Sequence, residues 1–380
     1  MSWPDRILHV APFLWSGAGR VIVRLAQEQA RSSAVMVTSS ARVDELRDWA
    51  PYRRALARSG IALGRIDFFR RSPEHLWPAT DKLARAIEAF APSIVHVHSG
   101  VPACACAVLR DRELWKGPTI AHLNSWAPRR PPWMDRMDAW GLARADVVVC
   151  TSTAYRSRLR ALGVPSTKLH LVAWGVDVPA APASRASSGG PVIGVLGRIE
   201  PRKGQHVVVR ALSHLRTSYP DARLELIGPI ADPDYAERVR SEIEGLTLAA
   251  HVRLSVSVPD PTSHMRRWTV AVSASEDEGQ GLAVLEAMAL GVPVVACRAA
   301  GVDDSLRHGQ TGLLVDGRPS ARRLAAAIGA SLRDPATARR MAAAARRVVE
   351  RRFAWASTFA SLGRLYGLAS RRALARAPRR

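Results

Sequence analysis

Residues 275–295 read SEDEGQGLAVLEAMALGVPVV. From residue 282 to residue 290 every side chain except that of Glu286 is apolar, and a helix that is apolar on all sides is buried in a core. Short β-branched runs, which favour strands, flank this helix at 270–273 and at 294–296. A strand, a buried helix and a second strand in this order predict a parallel sheet that is covered by helices on both faces.

The same alternation continues on both sides of this stretch. Further strands are predicted at 7–10, 34–38, 93–98, 119–123, 146–151, 168–173, 192–196, 223–227 and 252–255. Further helices are predicted at 19–30, 80–90, 133–143, 205–217 and 320–331. The sequence therefore predicts an α/β fold, in which ligands bind beyond the carboxyl ends of the parallel strands.

A stretch rich in Pro, Ala, Ser and Gly at 179–191 interrupts the alternation and has the composition of a linker. We predict a doubly wound N-terminal domain at 1–180, a linker at 181–190 and a doubly wound C-terminal domain at 191–352, with a cleft between the domains. Residues 353–380 are expected to form a helix that returns toward the first domain, with a disordered basic end from Arg371. A helix on a membrane surface is the alternative for this tail.

The chain is strongly basic. Its formal net charge is +22, and its 55 Lys and Arg residues include only four lysines. Basic proteins attract phosphate, whether in nucleic acids, anionic lipids or nucleotides. The arginines are spread along the whole chain and no RRM, KH or zinc-finger pattern is present, so we predict no nucleic-acid partner. Peripheral contact with an anionic membrane stays open.

The ends and apolar runs of the chain bear on its location. The first residues lack the order of basic, apolar and small residues that marks a signal peptide. The longest uncharged apolar run, near 287–297, is far shorter than the ~20 residues of a membrane span. We expect a cytoplasmic protein that can contact the inner face of the membrane.

Candidate metal ligands are few. Buried free thiols are the simplest interpretation of the four scattered cysteines, Cys104, Cys106, Cys150 and Cys297. His96 and His98 lie on one predicted strand and His122 on another, so a three-histidine metal site is conceivable as a weaker interpretation. Acidic pairs at 232–234 and 303–304 have the context of solvated turns. We therefore predict no metal.

Two carboxylates and a helix N-terminus stand together in the opening stretch. Glu278 comes just before the predicted helix, and Glu286 lies within it, where a buried carboxylate is costly unless it is paired. Gly279 and Gly281 allow backbone N–H groups to approach a ligand closely, and a helix N-terminus attracts anions. A structural salt bridge is the alternative for Glu286. The segment otherwise offers N–H groups for a phosphate and carboxylates for hydroxyl groups, as a nucleotide sugar requires.

A cationic loop follows the first strand of the second half. Residues 197–204 read GRIEPRKG. Arg198 can bind phosphate oxygens through two N–H groups, and Lys203 supplies a compact charge in a chain where lysine is rare. A diphosphate leaving group needs cations that stabilise the charge developing on it. The loop therefore predicts a diphosphate site.

These two segments resemble the retaining glycosyltransferases of family four, which have the GT-B fold. The family motif E-G-F-G-L-x-x-L-E-A-M-A-x-G-x-P-V-V is similar to 278–295, and its G-R-x-x-x-x-K-G loop is similar to 197–204. Weaker similarities lie at 145–152, 308–315 and 353–355. The resemblance implies two Rossmann-like domains and a metal-independent hexosyltransferase. Its co-substrate is a nucleoside diphosphate sugar, it needs no cofactor, and it retains the anomeric configuration.

The resemblance also implies roles for single residues of the donor side. Arg198 and Lys203 are expected to bind the donor diphosphate, Glu286 the ribose hydroxyls, and Glu278 the hydroxyls of the transferred sugar. Gly281 and Leu282, at the start of the helix, complete this donor-binding set.

Further roles fall on the first domain. His122 matches the family's active-site histidine at the end of a strand, and joins Arg198, Lys203 and Glu278 in the implied catalytic set. The loop 16–19, with Gly17 and Gly19, matches the glycine loop beside the phosphates and the acceptor. The acceptor is a glycan, a lipid or a small metabolite.

Three departures from the family pattern leave the donor sugar open. Gln280 replaces the usual Phe of the E-G-F-G motif, and Trp174 stands where the family has Asn in P-N-G-V-D. The family's G-G-x-x-E segment reads AGVDD at 300–304.

Two other functions remain as alternatives. A binder of anionic polymers or membranes would explain the charge but not the two carboxylates. An NAD(P)-dependent oxidoreductase would rest on Gly17 and Gly19 alone, without the third glycine of the dinucleotide fingerprint.

Overall fold

A computed structural model describes residues 3–40, 50–124, 126, 130–183, 189–256, 258 and 260–376. The chain divides into two compact units. The N-terminal unit comprises Met1–Trp174 and Thr358–Arg380, and the C-terminal unit comprises Gly175–Ser357. No helix in the described ranges combines the length and apolarity that crossing a membrane requires.

The N-terminal unit is built on a seven-stranded parallel sheet of order β3-β2-β1-β4-β5-β6-β7. Its strands are β1 (Arg6–Val10), β2 (Ala34–Ser39), β3 (Ala62–Arg65), β4 (Ile94–Val97), β5 (Thr119–Leu123), β6 (Val147–Cys150) and β7 (Leu169–Leu171). Its helices up to Trp174 are α1 (Ser16–Gln29), α2 (Ala50–Arg58), α3 (Pro73–Phe90), α4 (Gly100–Asp111), α5 (Pro132–Arg144) and α6 (Thr153–Ala161). Strands β4, β5 and β6 are buried along their whole length, as expected for a sheet covered on both faces.

The C-terminal unit has a six-stranded sheet of order β10-β9-β8-β11-β12-β13. Its strands are β8 (Val192–Leu196), β9 (Arg223–Ile227), β10 (Val252–Ser255), β11 (Val270–Ser273), β12 (Val294–Cys297) and β13 (Leu313–Val315). Its helices are α7 (Gln205–Leu215), α8 (Pro233–Gly245), α9 (Pro261–Met265), α10 (Leu282–Ala289), α11 (Ala321–Arg333) and α12 (Pro335–Arg352). Strands β8 and β11 are parallel neighbours, so the loops that follow them leave from the same edge of the sheet.

The start of α3 differs from the sequence prediction. We expected a helix from residue 80, but α3 begins at Pro73 and continues through Pro78. A proline inside a helix removes one backbone hydrogen bond. The acceptor that Pro78 leaves without an intrahelical donor is the Glu74 carbonyl oxygen, and the Thr80 hydroxyl donates to the Leu76 carbonyl oxygen at 2.8 Å.

The last helix, α13 (Trp355–Arg376), has most of its length in the N-terminal unit. We predicted a disordered end from Arg371, and this is wrong as far as Arg376, because the helix continues to that residue. The reason is specific pairing: Arg372 donates to the Asp146 carbonyl oxygen at 2.7 Å, and Arg376 forms an ion pair with the Asp146 carboxylate. Residues 377–380 lie outside the described part of the chain.

The predicted linker is partly ordered against the C-terminal unit. The Ala183 N–H donates to the Leu290 carbonyl oxygen at 2.8 Å, and Arg346 donates to the Pro179 carbonyl oxygen at 2.5 Å. Residues 184–188 lie outside the described ranges. The division at 181–190 therefore stays a prediction, while the compact units meet in sequence at Trp174 and Gly175.

Candidate active site

The cationic loop contains a position that only glycine can occupy. After β8 the chain forms a 3-10 turn at Pro201–Lys203, and Gly204 then adopts a left-handed conformation with φ of 67° before α7 begins. A Cβ atom on Gly204 would lie 2.3 Å from the Ala274 carbonyl oxygen. The close approach holds this loop against the loop that follows β11, and it brings Lys203 next to the acidic segment.

Lys203 and Glu278 form the centre of the site. The Lys203 ammonium donates to Glu278 Oε1 at 2.5 Å, and the Ser275 hydroxyl donates to the same oxygen at 2.7 Å. The two charged side chains are only 16% and 14% exposed. Burial opposes ionisation of Glu278, but the Lys203 charge and these two hydrogen bonds outweigh it and hold the pKa of that carboxyl below its usual value.

Arg198 is tied to the same loop through Glu200. An Arg198 Nη atom donates to Glu200 Oε1 at 2.8 Å, and Arg202 Nε donates to the same oxygen at 3.0 Å. The Gln205 side chain donates to the Arg198 carbonyl oxygen at 2.7 Å and so fixes the backbone. Arg198 is 20% exposed, which leaves part of its guanidinium accessible from solvent.

Arg202 links the cationic and acidic loops, and the sequence analysis gave it no role. Its carbonyl oxygen accepts from the Glu276 N–H at 3.0 Å, and its guanidinium lies 3.7 Å from Asp277. Burial opposes the charge of Arg202, but Glu200 in particular raises the pKa of the guanidinium above its usual value. The local signal was present, since Arg202 lies in the same charged loop as Lys203.

The N-terminus of α10 begins at a second left-handed glycine. Gly281 has φ of 74° and directly precedes Leu282, the first residue of the helix. Gln280, the departure from the family's Phe, is 6% exposed. It is covered by Gly301, where a Cβ would lie 2.3 Å from the Gln280 Cα. The Gly301 N–H also donates to the Glu278 carbonyl oxygen at 2.9 Å, so this segment supports the acidic loop.

Glu286 lies on the partly buried side of α10. We predicted a helix that is buried on all sides, but Leu282, Ala283 and Glu286 are only partly buried. The opposite side, which includes Leu285 and Met288, is fully buried. One carboxylate oxygen, Glu286 Oε2, is nevertheless buried, so the desolvation cost that we inferred for Glu286 still applies to that atom.

A small cavity joins the parts of this site. It has a volume of about 20 Å³ and is lined by residues of β8, β11 and both loops, among them Gly194, Lys203, Trp268, Ser275 and Ala283. The structure thus brings Lys203 and Glu278 into direct contact, and places the first turn of α10 beside them.

His122 lies in the N-terminal unit on β5 and is fully buried. Its ring stacks on the Trp174 indole with 4.2 Å between centroids, and the indole donates to Asn124 Oδ1 at 2.8 Å. Neither ring nitrogen has a hydrogen-bond partner among the described residues. Burial lowers the pKa of His122 to about 3, so the ring is neutral. Trp174, the departure from the family's Asn, covers this histidine.

The glycines of the first domain lie in a helix rather than a loop. We expected a loop at 16–19, but α1 begins at Ser16, so Gly17 and Gly19 belong to its first turn. A Cβ on Gly19 would lie 2.7 Å from the Leu14 carbonyl carbon, which explains the need for glycine there. A helix N-terminus can still bind an anion through its backbone N–H groups.

A different histidine cluster from the one we considered lies on the central strands β1 and β4 and just after β4. His9, His96 and His98 are fully buried and present ring nitrogens within 4.8 Å of one another. Hydrogen bonds connect them: His98 to His9 at 2.9 Å, His9 to Gln29 at 2.7 Å, and His96 to the Tyr366 hydroxyl at 2.7 Å. The sequence analysis missed His9, although β1 pairs it with His96 in register.

The remaining candidate ligands have structural roles. Asp232 caps α8 by accepting the Tyr235 N–H at 2.9 Å, and Asp303 pairs with Arg298 at 2.9 Å. The cysteines are buried free thiols, as predicted.

Two doubly wound parallel sheets, with a cationic loop bound to an acidic loop at neighbouring strand ends, define a molecule of the GT-B class. Residues 180–348 match the family model of the group 1 glycosyl transferases, and residues 15–179 match the model of glycosyltransferase family 4. The chain belongs to the family 4 glycosyltransferases.

Named relatives are found among actinobacterial enzymes. The chain is 33% identical over 240 residues to a GDP-mannose-dependent alpha-(1-6)-phosphatidylinositol monomannoside mannosyltransferase of Mycolicibacterium smegmatis, which covers 58% of this chain and 62% of the relative. It is 30% identical over 309 residues to a D-inositol 3-phosphate glycosyltransferase of Corynebacterium glutamicum, covering 72% and 71%. The match therefore spans less than two thirds of the mycobacterial mannosyltransferase.

Solved structures share the fold. HepE of Anabaena, in complex with UDP and glucose, matches with a TM-score of 0.82 and 19% identity over 96% of this chain and 99% of HepE. A glycosyltransferase of Rickettsia africae matches with a TM-score of 0.81 and 19% identity over 96% and 98%.

Proposed function

We propose that the chain transfers a hexosyl group from a nucleoside diphosphate sugar to an acceptor hydroxyl, with retention of the anomeric configuration. The observation that carries the proposal is the contact of Lys203 with Glu278 at 2.5 Å, beside the N-terminus of α10. A cation, a carboxylate and free helix N–H groups together suit the diphosphate and hydroxyl groups of such a donor.

The proposed roles divide along the donor. Arg198, Lys203 and the N–H groups at Gly281 and Leu282 bind the diphosphate. Glu286, on the partly buried side of α10, accepts hydrogen bonds from the ribose. Glu278 accepts from hydroxyls of the transferred sugar while Lys203 keeps it ionised.

The reaction breaks the bond between the anomeric carbon and the β-phosphate oxygen, and the bonding electrons leave with that oxygen. The acceptor oxygen forms the new bond to the anomeric carbon on the same face. The proton of the acceptor hydroxyl passes to the departing phosphate, so that the products are the glycoside and the nucleoside diphosphate. Arg198 and Lys203 stabilise the negative charge that develops on the phosphate. No cofactor or metal is assigned to this step.

We assign binding of the acceptor to the N-terminal unit. His122 and the first turn of α1, with Gly17 and Gly19, are its assigned residues. Because Trp174 covers His122, contact of the histidine with a substrate requires rotation of the indole. The names of the relatives mention GDP-mannose, phosphatidylinositol monomannoside and inositol phosphate. These names favour a polyol or a glycolipid as the acceptor. The net charge of +22 supports contact with the inner face of an anionic membrane, and no nucleic-acid partner is proposed.

A donor panel tests the proposal. The full chain is incubated with UDP-, GDP- and ADP-sugars, with inositol phosphate or a phosphatidylinositol mannoside as acceptor, while nucleotide release and product mass are followed. Binding of UDP, GDP and ADP is measured separately by calorimetry. We expect one diphosphate to bind and its sugar to be transferred with retained configuration, which NMR of the product reports. Failure of every nucleoside diphosphate to bind would contradict the proposal without reference to the acceptor.

A further inference from the structure

The outer face of α5 carries an unusual set of side chains. Trp133, Arg136, Trp140 and Arg144 follow one another at spacings of three and four residues. At about 100° per residue they fall within an arc of about 80° on the helix surface. Trp133 is 47% exposed and Trp140 39% exposed, and Arg136 and Arg144 are exposed as well. We call these four residues the α5 face.

The acidic residues of α5 point away from this face and are neutralised. Asp135 accepts hydrogen bonds from the Trp126 indole at 2.6 Å and from Arg158 at 2.5 Å. Asp138 is only 3% exposed and binds Arg71 at 3.1 Å and Arg130 at 2.7 Å. The helix thus pairs both carboxylates with cations on its protein-facing side and leaves aromatic and cationic groups outside, in contrast to the mixed polar surface usual for a helix.

The cations and the indoles of the α5 face lie together. The Arg144 guanidinium lies 4.1 Å from the centre of the Trp140 ring. Its nearest described carboxylate is the exposed Asp111, at 3.8 Å, which is a weak contact. Arginine and tryptophan both combine an apolar body with a polar end, and such side chains favour the boundary between water and the acyl region of a lipid bilayer.

Exposed apolar side chains are concentrated in the same unit. Seven of the eight large exposed hydrophobic residues in the described ranges belong to the N-terminal unit, and only Val256 belongs to the other. The seven are Phe69, Trp77, Leu114, Trp133, Trp140, Leu171 and Leu374. This asymmetry and the net charge of +22 favour binding to a surface that is both apolar and anionic.

We propose that the α5 face docks the N-terminal unit on an anionic phospholipid bilayer, with the two indoles in the interface and the two guanidinium groups on lipid phosphates. The inference deepens the proposed function, since it assigns the membrane contact of that function to a defined surface. It requires neither the donor site nor any particular acceptor.

Vesicle binding tests the α5 face. The full-length chain is sedimented with vesicles of phosphatidylcholine containing phosphatidylglycerol, and with vesicles of phosphatidylcholine alone, at low and at physiological ionic strength. Variants are Trp133→Ala/Trp140→Ala and Arg136→Ala/Arg144→Ala. Matched controls are Trp77→Ala, an exposed Trp of α3, and Arg347→Ala/Arg351→Ala, two exposed arginines of α12. Circular dichroism confirms that each variant is folded.

We expect the wild-type chain to bind the anionic vesicles, and the double arginine variant to bind them about 20-fold more weakly. The double tryptophan variant should lose at least about tenfold, while both controls bind within about twofold of wild type. Equal binding by the α5 variants and their controls would overturn the proposal. So would a change of oligomeric state in the tryptophan variant without lipid, because the face would then be an interface between copies. Nucleotide binding, measured in parallel without vesicles, keeps the donor proposal separately testable.

Discussion

Lys203 Nζ lies 2.5 Å from Glu278 Oε1 and joins the loop after β8 to the loop after β11. Both charged side chains are largely buried. Without its partner, each charge would occupy its position only at a high cost in desolvation free energy. The pair is therefore present before any ligand arrives. The Lys203 ammonium is already in position when a diphosphate binds, and the diphosphate then shares it with Glu278.

Replacing Lys203 with Ala should lower kcat/KM for sugar transfer by about 100-fold, because a cation that stabilises the leaving group is lost. Lys116→Ala is the matched control, since that side chain is 74% exposed and pairs with the exposed Glu113. Steady-state kinetics with the donor identified by the panel measure both variants. Wild-type turnover by Lys203→Ala would remove this residue from the site.

Glu286→Ala should lose most of the transfer activity and raise the KM for the donor, because the proposed ribose acceptor is removed. The fold should survive, since Glu286 lies on the only partly buried side of α10 and the core-facing side is unchanged. We expect Tm to change by less than about 4 °C. Glu237→Ala, whose side chain is 70% exposed on α8, serves as the control. A large drop in Tm would instead identify Glu286 as a structural residue.

The buried histidines should make the protein sensitive to acid. Burial lowers the pKa of His9 to about 4 and that of His122 to about 3, and it also lowers the pKa values of His96 and His98. Below pH 6.5 the unfolded chain binds protons that the folded chain excludes, so stability is full at neutral pH and falls as the pH decreases toward 4. Each of these histidines changes the free energy of unfolding by about 1.4 kcal/mol per pH unit in this range.

Urea unfolding between pH 7 and pH 4.5 measures this slope. His9→Gln should reduce the slope by about one histidine's share, whereas His214→Gln, an exposed histidine of α7, should leave it unchanged. The same slope in His9→Gln and wild type would mean that protonation of His9 is not what the acid acts on.

Tyr366→Phe should destabilise the N-terminal unit by about 1–3 kcal/mol, because it removes a hydroxyl that two buried groups share. Gln29 Nε2 donates to this hydroxyl at 3.0 Å, and His96 Nδ1 lies 2.7 Å from it. Ser361→Ala removes an exposed hydroxyl from the same helix and is the control. Hydrogen exchange of α13 amides should accelerate in the first variant only, and unchanged exchange there would show that packing alone holds the helix.

The strands and the donor loops were predictable because their signals are local. The bounds of β5, β8, β9, β10 and β11 agree with the prediction, since each strand is a short segment that contains β-branched residues. Helix α4 was missed because GVPACACAVLRD contains Gly and Pro near its start and has apolar residues without a clear period. The β3 strand was missed because it is largely accessible and lacks a buried face.

The parts of the site that depend on tertiary packing could not be read from local patterns. Gln29 and Tyr366 are separated by 337 positions in sequence, yet their side chains meet. The stacking of Trp174 on His122 also depends on the chain after β7 reaching β5 past the intervening β6, which no local motif predicts. Glu286 was identified as unusual from its apolar neighbours, but its partly buried position depends on which side of α10 the core covers.

The N-terminal unit is not continuous in sequence, because the chain leaves it at Trp174 and re-enters at Thr358. During synthesis its seven strands leave the ribosome long before Tyr366 does. Until then Gln29 and His96 lack the hydroxyl that both of them contact. The complete C-terminal unit is translated in between and can fold first. The N-terminal unit is therefore the first to be synthesised and the last to be completed. A stop codon shortly before α13 would leave its core without the Tyr366 hydroxyl.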